Sequence, residues 1–407
     1  MVVPRGSIGD HARKAEREAT MRTAPQVVVI GAGTLGLCTA VNLVEQGAGV
    51  TVLETNTIAS GSSGRSVGVV GTQLTDPLDL LLREHALRQF RNWESLGLEF
   101  NHIGYLRLAR TEAQMELFER SAGLRAGAGF RSRLVQAESL RELVPHLNTA
   151  GLAGGIFGPD DGYIDPHALC TMLSALLRDH GGEVRQYCRL EGVIRRSGGY
   201  RLETTKGTLD CDIVVNAAGG WAPQVSAMFG QNLCVGPERH EAASILLDRA
   251  LDYTMPMVMD LVNGEGSGLN FRHDRPGEMI AEIHHVAAGP PENPDTYNDR
   301  YDEASKVYLA ELLLERLPGL PGARLGRGWA GLYPMTADQR PLVGPVDPDE
   351  LSFVSAAGAG GYGIQLAPVI GQVAADWALH GGPVSAPGTE VLLPPPESNV
   401  GSLRPGG

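Results

Sequence analysis

The pattern of apolar positions is sharpest near the start of the chain. Val27, Val28, Val29 and Ile30 form an unbroken β-branched run, which predicts a buried parallel strand. Gly31-x-Gly33-x-x-Gly36 then turns the chain into a helix expected over 34–46, with Gly47 as its stop. A second strand over 49–53 ends at Glu54. After a small-residue loop over 59–68, a helix of mixed charge is expected over 77–96, a strand near 104–108, and helices from Thr111 and Ala137. Asp165 and Pro166 read as N-cap and first residue of a helix running through Leu177. Short strands follow over 184–190, 200–205 and 208–211, with a Lys206-Gly207 turn, and a buried strand over 212–216 runs into Ala217-Ala218-Gly219. Residues 234–285 are strand-like, and 302–317 read as a helix closed by Pro318-Gly319. A strand, a Gly-rich turn and a helix fit 351–375, and no internal repeat is present.

The first of these turns carries chemistry. Gly31 permits the tight turn, Gly33 lets backbone approach a diphosphate, and Gly36 lets helix pack close on strand. The helix start, with Thr34 and Leu35 in its first turn, offers free N–H groups and a partial positive charge where a diphosphate sits. Glu54 stands at the strand end, where an acid binds the ribose hydroxyls of an adenine dinucleotide. Strand, helix, second strand and terminal acid in register raise the motif above an isolated glycine match.

The 407 residues suggest two or three domains, and 43% hydrophobic with 20% charged residues describes an ordinary soluble globular chain. A formal charge of −13 argues against nucleic acid or an anionic membrane as main partner. The basic residues are nearly all arginine, with lysine only at Lys14, Lys206 and Lys306. Cys38, Cys170, Cys188, Cys211 and Cys234 are scattered without a CxxC pair. Neither a disulfide framework nor metal-ligand spacing is visible, and a cytoplasmic location is expected. Residues 1–24 read as a disordered leader rather than a signal peptide. Met21 is an alternative start, and Val3-Pro4-Arg5-Gly6-Ser7 resembles a protease-site remnant. The charge-free stretch 351–375 holds too many glycines, a proline and two glutamines to read as a membrane span, and 386–407 form a Pro-rich tail.

The dinucleotide signature opens the chain, while the second Gly-rich strand-to-helix turn nearly closes it. One nucleotide fold is therefore expected from distant segments, 25–90, 149–233 and 326–385, with a β-rich substrate domain from 91–148 and 234–325. NAD domains are more often contiguous, so this layout favours FAD, with NAD as the alternative.

Six motifs in order resemble the FAD-dependent D-amino-acid oxidase superfamily, in its sarcosine oxidase and glycine oxidase-like branch. Beyond the glycine turn and Glu54 they are residues 60–68, Asp161-Gly162-Tyr163-Ile164-Asp165-Pro166, 214–221, Pro237-Glu238-Arg239-His240, 329–341 and Gly360-Gly361-Tyr362-Gly363-Ile364-Gln365. The resemblance implies an α/β fold: a discontinuous, glutathione reductase-like Rossmann domain for FAD plus an inserted antiparallel β-sheet domain with helices. It also implies flavin at the domain interface, substrate beneath the sheet, and hydride transfer from a C–N carbon to flavin, giving an imine that hydrolyses. Carried over by motif, the FAD contacts are Ser62, Ser63, Arg65, Ser66, Val193, Ala218, Gly219, Trp221, Gly331, Gly360, Gly361, Tyr362, Gly363, Ile364 and Gln365.

The departures narrow the expected substrate. Tyr333 stands where amino-acid oxidases of the family place a carboxylate-clamping arginine, which favours a small secondary or N-alkyl amine. Gln365 replaces a lysine of sarcosine oxidase-like members and Tyr362 replaces a histidine, so a substrate carboxylate would need Arg65 or Arg272. The strand over 277–284 lacks the lysine that monomeric oxidases hold over the flavin, with His284 or His285 as the substitute, and leaves O2 or another electron acceptor open. Gly331 replaces the cysteine that holds flavin covalently in some relatives, so FAD is expected to bind non-covalently. Tyr333, Tyr362, Gln365 and His284 are the catalytic candidates. Asp165 reads as a cap, and His240, Trp221 and Trp329 read first as structural. A neutral bound amine needs no strong protein base, because its lone pair drives hydride loss. The alternatives are an α-hydroxy acid oxidoreductase of the same superfamily, a flavin subunit of a multi-subunit dehydrogenase, and an inactive flavin scaffold. Oligomeric state is left open.

Overall fold

A computed structural model of the chain describes residues 24–73, 77–261, 268–284, 290–347 and 349–394. The expected leader, all but its last residue, the end of the Pro-rich tail and His285 lie outside the described residues.

The β-branched run forms β1 (Gln26–Ile30), at the centre of a six-stranded sheet. Its partners are β2 (Gly49–Leu53), β6 (Glu183–Arg185), β10 (Ile213–Asn216), β16 (Leu342–Gly344) and β17 (Phe353–Ala357), in the order β16-β17-β10-β1-β2-β6. All neighbours are parallel except β16 and β17. Strands buried on both faces need helices as cover. These are α1 (Thr34–Glu45), α2 (Pro77–Ser95), α3 (Pro166–Asp179) and α5 (Gly363–His380), whose apolar sides join one core with Val27, Val29 and Val52. Gly371 in α5 would place a Cβ 2.6 Å from the Cys38 backbone, so a side chain there would part α5 from α1. The Asp165 carboxylate caps α3, accepting from His167 N at 2.7 Å and Ala168 N at 3.2 Å, as expected for Asp before Pro.

An eight-stranded sheet holds β3 (Tyr105–Ala109), β4 (Arg133–Gln136), β5 (Gly154–Gly158), β11 (Gly236–Leu246), β12 (Met257–Leu261), β13 (Gly268–Arg275), β14 (Glu278–His284) and β15 (Arg324–Met335), ordered β15-β11-β14-β13-β12-β3-β5-β4. It is antiparallel except between β12 and β3. Alternation sorts its faces. Leu106, Val258, Leu269, Phe271, Met279, Ala281 and Ala243 pack with Leu309 and Leu313 of α4 (Glu303–Arg316). Paired positions on the opposite face are Tyr105, Met259, Asn270, Glu282, Ala242 and the β15 register beyond. Two segments expected within the nucleotide-binding part, β5 and β15, pair in this sheet.

The expected strand over 184–190 is interrupted. Tyr187 takes a left-handed φ of +54°, so β6 stops at Arg185 and a separate three-stranded sheet begins at β7 (Leu190–Arg196), followed by β8 (Gly199–Thr204) and β9 (Gly207–Cys211). The helix expected from Ala137 is only a 3-10 turn and a short helix ending at Leu143. Among the described residues no helix is long and apolar enough to cross a membrane.

Candidate cofactor and substrate site

A cavity of about 650 Å³ runs from the C-terminal ends of β1 and β2 to the polar face of the eight-stranded sheet. At one end the glycine turn is forced by space. Gly31 has φ +104°, and a Cβ on it would stand 2.6 Å from Ala217 O. One on Gly36 would stand 2.0 Å from Gly31 O. Gly36 thus packs the turn from behind, while Gly31, Gly33, Thr34 and Leu35 reach the cavity wall. Glu54 also lines it, its Oε2 accepting from Ala32 N at 2.9 Å and its Oε1 from Asn56 N at 2.8 Å. Ser63 Oγ accepts from Thr34 N at 3.0 Å, which ties the loop over 59–68 to the α1 terminus. Ser62, Ser66 and Arg65 line the cavity beside it. The Arg65 guanidinium donates to Ser60 O and to Gly61 O, and its own carbonyl accepts from Trp329 Nε1 at 2.8 Å.

Ala218, Gly219 and Trp221, past the end of β10, form another wall. Gly219 has φ +57° and no atom within 4 Å of where its Cβ would be. Trp221 Nε1 donates to Asp295 at 2.7 Å. Gly331, Gly360, Gly361, Gly363 and Ile364 line the side opposite, at β15 and the start of α5. Tyr333 stands on β15, its ring stacked on His240 at 3.9 Å between centroids, and a Cβ on Gly361 would meet that ring at 2.6 Å. Burial, with Glu282 nearby, holds the Tyr333 phenol well above the usual tyrosine range.

Besides Gly36, three predicted residues stand off the cavity wall. Val193 lies on β7 opposite Leu202, past a bulge between Leu190 and Gly192, so Cys188, Arg189 and Leu190 take the wall there. Gln365 is buried behind it, accepting from Gly71 N at 3.0 Å and from the Arg83 guanidinium. Tyr362 lies under that guanidinium, 5.3 Å from ring centroid to carbon. His284 ends β14, and its side chain lies outside the described residues. Of the two arginines weighed for a carboxylate, Arg65 reaches the cavity. Arg272 is engaged by Val67 O, His273 O and Asp274 and stacks 3.7 Å from the Tyr163 centroid.

Sequence reasoning missed Glu282, which lines the cavity from β14. Burial pushes its carboxyl above the ordinary glutamate range, against an Asn270 hydrogen bond and the charge of Arg272 that favour ionisation. The one available signal was a charged residue inside a strand whose alternate positions, Met279, Ala281 and Ile283, are apolar. All five cysteines are free, and among the described residues no group of His, Cys, Asp or Glu can hold a metal ion.

A bare backbone at the N-terminus of α1, a fixed carboxylate one strand away and a glycine-lined wall facing a sheet suit an elongated dinucleotide. Residues 26–377 match the family model of FAD-dependent oxidoreductases called DAO. The chain belongs to this family. FAD is the DAO cofactor, and the α/β class expected from sequence holds. This DAO chain is 26% identical over 397 residues to mitochondrial dimethylglycine dehydrogenase of Homo sapiens, covering 93% of itself and 45% of that protein. It therefore spans under half the length of that relative. Glycine oxidase of Geobacillus kaustophilus (strain HTA426) is 25% identical over 360 residues, 86% of this chain and 92% of the relative. Among solved structures, L-proline dehydrogenase from P. horikoshii is 26% identical with a TM-score of 0.80, over 88% of this chain and 94% of that one.

Proposed function

We propose that the chain oxidises a C–N bond of a small secondary amine or N-substituted amino acid, giving an imine that hydrolyses. The observation that carries this reading is one continuous cavity joining the glycine turn and Glu54 to Tyr333 and the polar face of the eight-stranded sheet. When bound, FAD supplies the two-electron acceptor that the side chains lack. The names of the relatives, a dimethylglycine dehydrogenase, a glycine oxidase and an L-proline dehydrogenase, share a C–N substrate and support the amine class.

In this reading the residues around the six-stranded sheet hold the cofactor and the eight-stranded sheet roofs the substrate. The N–H groups at the start of α1 other than Thr34 N, which Ser63 Oγ holds, take the diphosphate and Glu54 takes the ribose hydroxyls. The glycines at 360, 361 and 363 let backbone approach the ring system without side chains between. Tyr333, braced by His240, forms the substrate wall and stays a neutral phenol, so it orients by donating a hydrogen bond rather than by charge. No lysine lines the cavity among the described residues: Lys206 donates to Gln186 O and Lys306 to Glu303. We therefore propose an acceptor other than O2 as the preferred oxidant. Gly331, 3.1 Å from Arg65 in Cβ reach, offers no thiol, in keeping with non-covalent FAD.

Product analysis tests the reaction class. Purified protein loaded with FAD is turned over, with an added artificial electron acceptor, on secondary amines, N-methyl amino acids and α-hydroxy acids. The expected result is one carbonyl and one amine released for each substrate consumed. A carbonyl formed from a hydroxy acid, with no amine oxidised, would overturn the amine reading.

A further inference from the structure

The sheet face above the cavity carries an acid without a cation. Glu282 lies mid-strand on β14, level with Ala242 of β11 and Asn270 of β13. Asn270 Nδ2 donates to its Oε1 at 3.0 Å, and among the described residues no cation lies within ion-pair distance. Neighbouring Arg272 has its guanidinium occupied by Val67 O, His273 O and Asp274. Asn270 is only 2% exposed, and its Oδ1 has no hydrogen-bond partner among the described residues.

Glu282 thus has one donor, Asn270 Nδ2, and no counter-ion within ion-pair distance, while Asn270 Oδ1 is buried behind the cavity wall that Glu282 lines. Leaving a half-buried carboxylate without a counter-ion is costly, and a buried acceptor without a donor adds to that cost. An ammonium group in the cavity supplies what Glu282 lacks, a positive charge and N–H donors to its open lone pairs. A carboxylate ligand would instead meet like charge, because no arginine reaches the cavity from this sheet face. Arg65 and Arg189 line it elsewhere, engaged with Ser60 O and Gly61 O and with Glu191 respectively.

Resting on the amine reading above, we propose that Glu282, held by Asn270, is the anchor for a substrate ammonium, and that the site selects a cationic amine lacking a carboxylate. Glu282 also receives the proton that must leave before hydride transfer. An N–H bond breaks, an O–H bond forms on the carboxylate, and the nitrogen keeps its lone pair. The upward push of burial on the Glu282 carboxyl favours that transfer.

The test uses FAD-loaded protein under anaerobic conditions and three five-membered rings of similar size: pyrrolidine as cation, tetrahydrofuran as neutral ring and cyclopentanecarboxylate as anion. Binding is read from the change in the visible flavin spectrum. The wild type is expected to bind pyrrolidine at least about tenfold more tightly than either other ring, Glu282→Gln to reduce that preference to about threefold or less, and Glu282→Asp to keep part of it. A wild type that prefers the anion or discriminates none of the three overturns the proposal alone, as does a preference that survives in Glu282→Gln. Protein that takes up no FAD overturns the functional reading and this proposal together.

Discussion

Replacing Glu54 by glutamine keeps the shape of the side chain and removes its charge. In the native chain the two carboxylate oxygens already accept Ala32 N at 2.9 Å and Asn56 N at 2.8 Å, which fixes the carboxylate at the end of β2 with a lone pair left on each oxygen. A hydrogen bond to a charged acceptor contributes about 1.5–3 kcal/mol. Glutamine keeps one acceptor and turns an NH2 toward a backbone N–H, so one charge-assisted bond and its alignment toward the ribose are lost. At about 1.4 kcal/mol per decade, the FAD dissociation constant should rise roughly 10- to 150-fold. Calorimetric titration of flavin-free protein measures this directly, with FMN as the control because it has no adenosine ribose. FAD affinity unchanged within about threefold, or FMN affinity weakened equally, would mean that Glu54 does not hold the adenosine ribose.

Three further outcomes follow from the packing. Gly36→Ala brings a Cβ within 2.0 Å of Gly31 O, so the variant should lose about 1–3 kcal/mol or more of stability and release FAD, read by denaturant titration and by flavin retention on gel filtration. Gly361→Ala pushes on the Tyr333 ring from 2.6 Å and adds a methyl to the glycine-lined wall; in protein reloaded with excess FAD, amine-driven reduction should slow by about 100-fold, and an unchanged rate would remove Tyr333 from the substrate wall. Asp161 is fully buried and accepts from Thr72 N at 3.0 Å, Thr72 Oγ1 at 2.7 Å and Gln73 Nε2 at 3.2 Å, with Arg125 3.8 Å away. Asp161→Asn leaves Arg125 facing an amide, and thermal unfolding should show a loss of about 3–5 kcal/mol; a loss under about 1 kcal/mol would mean that the Arg125 charge is compensated elsewhere.

What could be read from sequence was local. The glycine turn, the acid at the end of β2 and the Asp165 cap each depend on residues within about twenty positions of one another, and their geometry follows from backbone sterics and free helix N–H groups. What escaped depends on pairing at a distance. Gln365 is drawn off the cavity wall by Arg83, 282 residues earlier. Val193 is displaced by a bulge set by its pairing with β8. Glu282 reads in sequence like the solvent side of an alternating strand, and only the sheet order reveals that this side faces the cavity. Tyr187 broke an apparently continuous strand through one left-handed residue that its type does not announce.

Oxidation of an amine by this chain is tested first by the visible spectrum of the FAD-loaded protein during anaerobic titration with a panel of small secondary amines. Amine oxidation at this site requires a retained flavin band that at least one amine bleaches completely, with colour restored by an added electron acceptor. A protein that retains no FAD, or a flavin band that no amine bleaches, would contradict it.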